Sequence, residues 1–594
     1  MVKNSFSKTL LHILPYFAIA LVAASFFVRA FYGFDWSDEC YNLALPYRFV
    51  LGNRLFINSW DADQTCAILI APILWLYRLA VGNMDGILLF TRFLFVLVQT
   101  AVSVAVYRVI YKLYGSRTVA WFTSVICLSF APYSISNFSY NTVSSLLMIV
   151  TAMLLISLYT TESAVHIAVL GTFAGIAYAG ACLAFPCCAV AMPSFVVLLC
   201  AVRPRVKKRD NFKKTLHALA FFLSGFLFIA ILVCGYLLIT VGLDGIYKNV
   251  SFLFYDPNHQ PISFVNKISS FIRDYYSLLA VAMIQLFFLA ILFLCKYIKI
   301  DSGVKYIFTF LIRIFMPLCI ALNIIMILVQ PEKVSPFSSK INQIQVCAGF
   351  WPLVLFINKP SKKNAILILT LYVPANLMCV AFYLSNSNGI TGASCALMLA
   401  VMSACPMLYE YYVPLIQMLK KKSKKKAMGY LLQAGLLVLA AFVVVSNGVL
   451  RVETVFHDSP LPKLTVQMQS GPAKGIYTTP AAAANYEGIV ADITASVPQN
   501  SKVLFSGLLP FGYLCINQQP ATPSFWQTPL NDNRLTLYFA SSPNDRPTFI
   551  YVIKKQYGNL NINNKPDIAA AKKVTGKTVI QKETKYSYQY SISE

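Results

Sequence analysis

The chain has 594 residues, 58% of them hydrophobic and 12% charged, with a mean hydropathy of +0.63, which excludes an ordinary soluble globular protein and makes lipid the solvent for most of it. The formal charge of +26 would point to nucleic acid in a soluble chain. Here the excess lies in four short loops between apolar runs, Arg203–Lys214, Lys296–Lys305, Lys359–Lys363 and Lys420–Lys426, the pattern left when positive loops stay in the cytoplasm.

In chain order, Met1–Ala30 has a basic start and an apolar run without a small-residue cleavage signature, which predicts a retained first span at about 11–31. A polar, acidic loop follows from Tyr32 to Thr65. The next run, 66–82, is short and contains Pro72 and Arg78. If it crossed the membrane, every later loop would invert and the basic loops would lie outside, so it is predicted to be an interfacial or re-entrant helix. Further spans are predicted at about 87–110, 117–134, 142–160, 165–182, 186–202, 215–241, 274–296, 303–329, 343–357, 365–384, 391–417 and 428–448. That makes about thirteen spans, with the N-terminus cytoplasmic and the tail outside.

Spans stop in the tail, where prolines and alternating apolar runs appear. Lys474–Thr479, Val503–Phe505 and Thr548–Ile553 read as strands, Ala481–Val497 and the region near Asn533–Ala540 as helices. The expected fold is therefore mostly α: a polytopic membrane helix bundle over 1–449, with 32–86 as a first external loop carrying amphipathic helices, and a small extracytoplasmic α/β domain over 450–594. No phosphate-binding glycine loop follows a strand, which disfavours an ATP-driven pump. The 15 cysteines fall mostly inside apolar runs without a C-x-x-C pair, against metal clusters and a disulfide framework; Cys40 and Cys66 read as two unrelated thiols.

Five of the 23 acidic residues lie in the first loop: Asp35, Asp38 and Glu39 in FDWSDECYNL, Asp61 and Asp63 in SWDADQT. A carboxylate at the membrane end of a span is costly unless it meets a cavity, a cation or a metal, so this cluster is the main functional signal. Arg48, Arg54, Arg92, Lys267, Arg273, Lys333 and Lys340 are cations on the same predicted face, each with the alternative of a snorkelling interfacial side chain. Trp36, Tyr41, Trp60, Tyr140 and Trp526 could stack on sugars, with interfacial packing as the alternative.

The D-E pair after the first span, the aromatic amphipathic stretch, the Pro-containing apolar segment and a span opening near Arg92 together resemble the GT-C superfamily of membrane glycosyltransferases, including aminoarabinose transferases and protein O-mannosyltransferases. SYNTVSSLLMI at 139–149, GIAYAGACLAFP at 175–186 and SNSNG at 385–389 add weaker support. The resemblance implies an inverting enzyme of the cell membrane that moves a sugar from a polyprenyl-phosphate donor to a cell-envelope glycan, lipid or protein. It implies Asp38 beside the acceptor hydroxyl with Asp35 and Glu39 close by, Asp61 or Asp63 as the second acidic site, and Arg92, with Arg273 and Lys340, on the donor phosphate. Paired carboxylates suit Mg²⁺ or Mn²⁺, with Asp35 and Asp38 as ligands if one binds; some members of the superfamily need a metal and others do not. The sequence departs from the family at Phe185, where a basic residue commonly precedes the proline, and at WDADQT, where a glutamate often precedes a proline pair. A polysaccharide polymerase or ligase, or a transporter of lipid-linked saccharide, is the alternative; the latter would need paired halves and charges near mid-span, which the sequence lacks.

Overall fold

The computed structural model describes residues 2–131, 135–202, 211–254, 263–279, 325, 329, 361–385, 393–526, 529–555 and 566–593. Its helices are α1 (Val2–Arg29), α2 (Asp38–Val50), α3 (Ala67–Val81), α4 (Ile87–Tyr114), α5 (Arg117–Ser129), α6 (Tyr140–Leu158), α7 (Ala164–Ala184), α8 (Met192–Ala201), α9 (Asn211–Thr240), α10 (Gly242–Asn249), α11 (Phe264–Leu279), α12 (Lys362–Leu367), α13 (Val373–Ser385), α14 (Met398–Lys421) and α15 (Lys426–Glu453), with a π-helical turn over Ile368–Tyr372 joining α12 to α13. Among the described residues eight helical segments are long and apolar enough to cross a membrane, by length and composition. The spans expected at 303–329 and 343–357, and most of 274–296, lie outside the described residues, and α5 is shorter than the expected 117–134.

The bundle has two chemically different ends. At one end α4 finishes at Tyr114, whose ring lies 5.5 Å from the Lys363 ammonium and whose hydroxyl donates to Asn364; the lysine run between α14 and α15 also falls at a helix end of this kind, since α15 is a 28-residue helix that starts at Lys426 and finishes at Glu453. At the other end lie the start of α4, the finish of α1 and α15, and the acidic loop. Two of the four basic loops, the described parts of 359–363 and 420–426, thus lie away from the acidic loop, while most of 203–214 and all of 296–305 lie outside the described residues.

The helix α3, with the 3₁₀ turn before it, is one of the eight segments long enough to cross, yet both its ends abut the acidic end of the bundle. Thr65 Oγ1 donates to Leu183 O at the finish of α7, 2.7 Å away. Beyond its other end, Gly86 N donates to Gly471 O at 3.0 Å. Gly86 has φ +75°, and the Tyr77 hydroxyl and Lys474 carbonyl approach within 3.4 and 3.7 Å of where a Cβ would stand.

The C-terminal region contains β1 (Val466–Gln467), β2 (Tyr477–Thr478), α16 (Pro480–Ser496), β3 (Lys502–Ser506), α17 (Pro510–Leu514), β4 (Gln519–Pro520), α18 (Asn533–Ser541), β5 (Phe549–Ile553), α19 (Ile568–Thr575), β6 (Val579–Glu583) and β7 (Ser587–Ile592). The five-stranded sheet has the order β4-β3-β5-β7-β6, parallel across β4-β3-β5 and antiparallel across β5-β7-β6. Central β5, FIYVI, is buried at every position, as a strand covered on both faces must be. In α16 the buried residues Ala483, Tyr486, Ile489, Val490 and Ile493 form one helical stripe, and Thr479 caps the first turn. Sequence patterning anticipated α16, α18, β3 and β5; it missed the β6-β7 hairpin, whose residues are mostly half-buried or exposed.

This region is joined to the bundle through the acidic loop. Phe34 packs edge-on to Tyr486 and Phe511, Tyr477 N donates to Phe31 O, and Gly33 N donates to Tyr477 O. The Arg48 guanidinium, fully buried, lies 4.6 Å from the Phe525 ring centre and donates to the Asn58 and Thr522 carbonyls. The loop is thereby clamped between helices and sheet.

Candidate functional site

The local fold around the D-E pair is set by Asp35. Its Oδ2 accepts from Glu39 N at 2.8 Å, and its Oδ1 accepts from Ser37 N and Ser37 Oγ at 3.0 and 2.9 Å. Asp35 therefore caps the first turn of α2, a favourable place for negative charge at the positive end of a helix. It is 3% exposed, and both its oxygens are occupied.

Glu39, the second residue of α2, points into the bundle. Its carboxylate accepts from Arg92 Nε at 2.7 Å and from Arg92 Nη2 at 2.6 Å, while Asn137 Nδ2 donates to Oε1 at 2.8 Å. Arg92 completes its fork on the carbonyls of Ala30 and Gly33, each at 2.8 Å. Both side chains are buried. The pair is a buried bidentate bridge that ties α1, α2, α4 and the approach to α6 together. Arg92 thus has its donors engaged on Glu39 and two carbonyls, and Glu39 is engaged on Arg92 and Asn137.

Asp38 differs. Its side chain is 31% exposed, and Oδ2 accepts from Ser37 Oγ at 3.2 Å. Across from it is a residue that the sequence reading did not single out, His457, from the segment that follows α15. His457 Nδ1 lies 3.0 Å from Asp35 Oδ1 and 2.8 Å from Ser37 Oγ, and 3.7 Å from Asp38 Oδ2. Its backbone has φ +56°, a strained conformation for a non-glycine residue. Neighbouring Asp458 holds the segment down by accepting from Phe34 N at 2.8 Å and Thr478 Oγ1 at 2.7 Å. The only sequence signal for His457 was a His-Asp pair just past the last span, on the face already assigned to the acidic loop.

Burial pushes the Asp38 carboxyl up to about 7, the Asp35 charge adds to this, and His457 partly offsets it. Burial alone would lower the His457 imidazole, but its bond to Asp35 and the charges of Asp35 and Asp38 outweigh that and raise it. The two groups thus influence each other across 3.7 Å. One ligand atom from each of Asp35, Asp38 and His457 lies within 4.8 Å of the others, close enough for a single divalent cation to reach all three.

The second acidic pair divides in the same manner. Asp61 is buried and accepts from Ser524 Oγ at 2.5 Å; burial raises its carboxyl, tempered by Ser524 and the Arg48 charge. Asp63 is half-buried and accepts from Tyr41 OH at 2.8 Å; burial and the Asp61 charge push it to about 7. Tyr41 stands one turn after Asp38 on α2, and Tyr140 is within electrostatic reach of both Asp38 and Asp63. Asp38, Tyr41, Asp63 and Tyr140 therefore border one surface, with Trp526 edge-on to Tyr41.

Of the other expected residues, Trp36 and Trp60 are buried; Trp36 stacks on His457 with centroids 6.1 Å apart, and Trp60 on Phe252 at 3.9 Å. Arg273 is an exposed residue of α11, the helix that packs Phe271 on Tyr383 and holds Leu384 O through Lys267 Nζ at 2.8 Å. Lys333 and Lys340 lie outside the described residues. Cys40 and Cys66 are free thiols.

Among solved structures the chain is similar to an oligosaccharyltransferase of Archaeoglobus fulgidus in complex with Zn and sulfate, with 9% sequence identity, a TM-score of 0.44, and coverage of 96% of this chain and 72% of that one. No family model matches the chain, and no curated protein does.

Proposed function

We propose that the protein is an inverting membrane glycosyltransferase that takes a sugar from a polyprenyl-phosphate donor and passes it to a hydroxyl of a cell-envelope acceptor on the extracytoplasmic face. The observation that carries this reading is the division of labour in the D-E loop: Asp35 and Glu39 are saturated and buried, whereas Asp38 is left accessible, lifted towards neutrality and clamped at the carboxylate end of the bundle, opposite the lysines. A carboxylate with a proton affinity near neutral is suited to general-base work.

In this reading Asp38 accepts the proton of the acceptor hydroxyl as its oxygen attacks the anomeric carbon. The bond from that carbon to the phosphate oxygen breaks, and the lipid phosphate leaves as a stable anion. Asp35 and His457 position Asp38, and Glu39 with Arg92 positions the loop. Asp63 and Tyr41 form the second acidic site, where the acceptor or sugar hydroxyls bind. The donor phosphate falls to Arg273 of α11 and to Lys340. Residues 1–449 serve as the membrane domain and 450–594 as an extracytoplasmic domain that supplies the far wall of the site.

A divalent cation held by Asp35, Asp38 and His457 would replace the His457 Nδ1 bond to Asp35 and engage one Asp38 oxygen, leaving the other to act as the base. Two carboxylate oxygens with one imidazole nitrogen suit Mn²⁺ or Zn²⁺ better than Mg²⁺. When bound, it would supply positive charge for the sugar phosphate. The test is transfer from radiolabelled polyprenyl-phosphate sugars to envelope acceptors by the purified protein in liposomes. Transfer should require Asp38; turnover undiminished in both Asp38→Asn and Asp35→Asn would overturn the assignment.

A further inference from the structure

A cavity of about 410 Å³ lies between α5, α14 and α15, within the size range of ligand pockets. It belongs to the lysine end of the bundle, far from the acidic loop. Its origin is legible in the residues. Pro406 and Pro414 interrupt α14, which loosens its regular packing, and Ala404 and Ala440 face the gap with small side chains.

The lining is polarised along the helix axes. Ser116, Gln417, Lys420 and Gln433 gather at the basic end, while Phe122, Ile126, Leu436 and Val443 line the remainder. From Ser116 to Ile126 on α5, and from Gln433 to Val443 on α15, the helices advance about 15 Å, half of a bilayer core of about 30 Å. The cavity therefore has the depth of one leaflet, with a polar mouth and an apolar interior.

Its charge identifies the occupant. No aspartate or glutamate is among its lining residues. Lys420 Nζ donates to Gln433 Oε1 and stands 4.1 Å from the Tyr430 ring centre; both partners are neutral. Lys421, Lys422, Lys425 and Lys426 continue the positive field at the mouth. An amphiphile with a negatively charged head complements this mouth, and an acyl chain complements the slot.

We propose that this cavity binds an anionic phospholipid of the lysine-side leaflet, with its phosphate on Lys420 and one acyl chain between α5, α14 and α15. The site is independent of the acidic loop and of the transferase reading. The lipid wedges α14 against α5 and α15, filling the gap that the two prolines open.

The test is native mass spectrometry of the full-length protein in detergent, with phosphatidylglycerol or phosphatidylcholine added, alongside thermal unfolding. The wild type should retain one phosphatidylglycerol in preference to phosphatidylcholine and unfold at a higher temperature with it. Lys420→Gln should weaken that retention about fivefold, the effect of one lysine at an anionic surface. Ala440→Phe, which fills the slot, should abolish both retention and the thermal shift; Ala404→Leu replaces it if that variant does not fold. Equal retention of the two lipids by the wild type, or unchanged retention in the slot-filling variant, overturns the proposal. Displacement of phosphatidylglycerol by an equimolar polyprenyl phosphate would also overturn it, because the slot would then belong to the longer lipid.

Discussion

Replacing Glu39 by glutamine removes a charge from a bridge that the structure buries on every side. Arg92 would keep its bonds to Ala30 O and Gly33 O, but the fork at 2.6 and 2.7 Å to Glu39 would face an amide that offers one acceptor and one donor. Breaking one partner of a buried pair typically costs about 3–5 kcal/mol, because the remaining charge has no water to return to. Glu39→Gln and Arg92→Met should therefore each lower the unfolding temperature of the purified protein, and activity should fall with the folded fraction. The double variant should recover part of the loss, since it removes both buried charges. Thermal unfolding of the four proteins as a double-mutant cycle, run with donor saturation curves, checks this. Single variants that melt like the wild type while the donor KM rises would refute the reasoning and return Arg92 to the phosphate.

The remaining expectations follow from the same site. If Asp38 must be ionised to act and titrates near 7, the metal-free kcat/KM should rise with pH up to about 7 and level off above it, while Asp38→Asn should lose about 10²–10⁴ in rate and the pH dependence with it. Asp63 has a folded pKa raised from 3.8 to about 7. Its protonated form is the favoured one in the folded state, so that stability is complete below about 4 and is lost as pH rises through about 7. Asp63→Asn should then raise the unfolding temperature at pH 8 and leave it unchanged at pH 4; an equal effect at both would refute the assignment. His457→Ala should weaken Mn²⁺ binding, read by electron paramagnetic resonance, by at least about tenfold, in the range seen when a supporting or ligating group is lost; unaltered binding would place the cation elsewhere.

How far the sequence reached can be argued from particular residues. The acidic loop, its pairing with a Pro-containing helix, and the separation of carboxylates from lysines are consequences of composition and charge along the chain, because desolvation penalises charge in lipid wherever the chain later folds. The strand β5 and the stripe of α16 were legible for the same reason: burial on both faces or on one face leaves a periodic trace. Which carboxylate of the cluster stays accessible left no such trace. Asp35, Asp38 and Glu39 lie within five consecutive residues, yet the first caps a helix, the last enters a buried bridge, and only the middle one keeps a partly exposed side chain.

That choice was made by the tertiary structure, since it depends on side chains far away in the chain. Arg92 and Asn137 claim Glu39, and His457 reaches Asp35 across 422 positions. A periodic pattern records what each residue must avoid, which is water or lipid. It does not record which distant partner satisfies a polar atom, because that is settled only when loop, bundle and sheet close on one another.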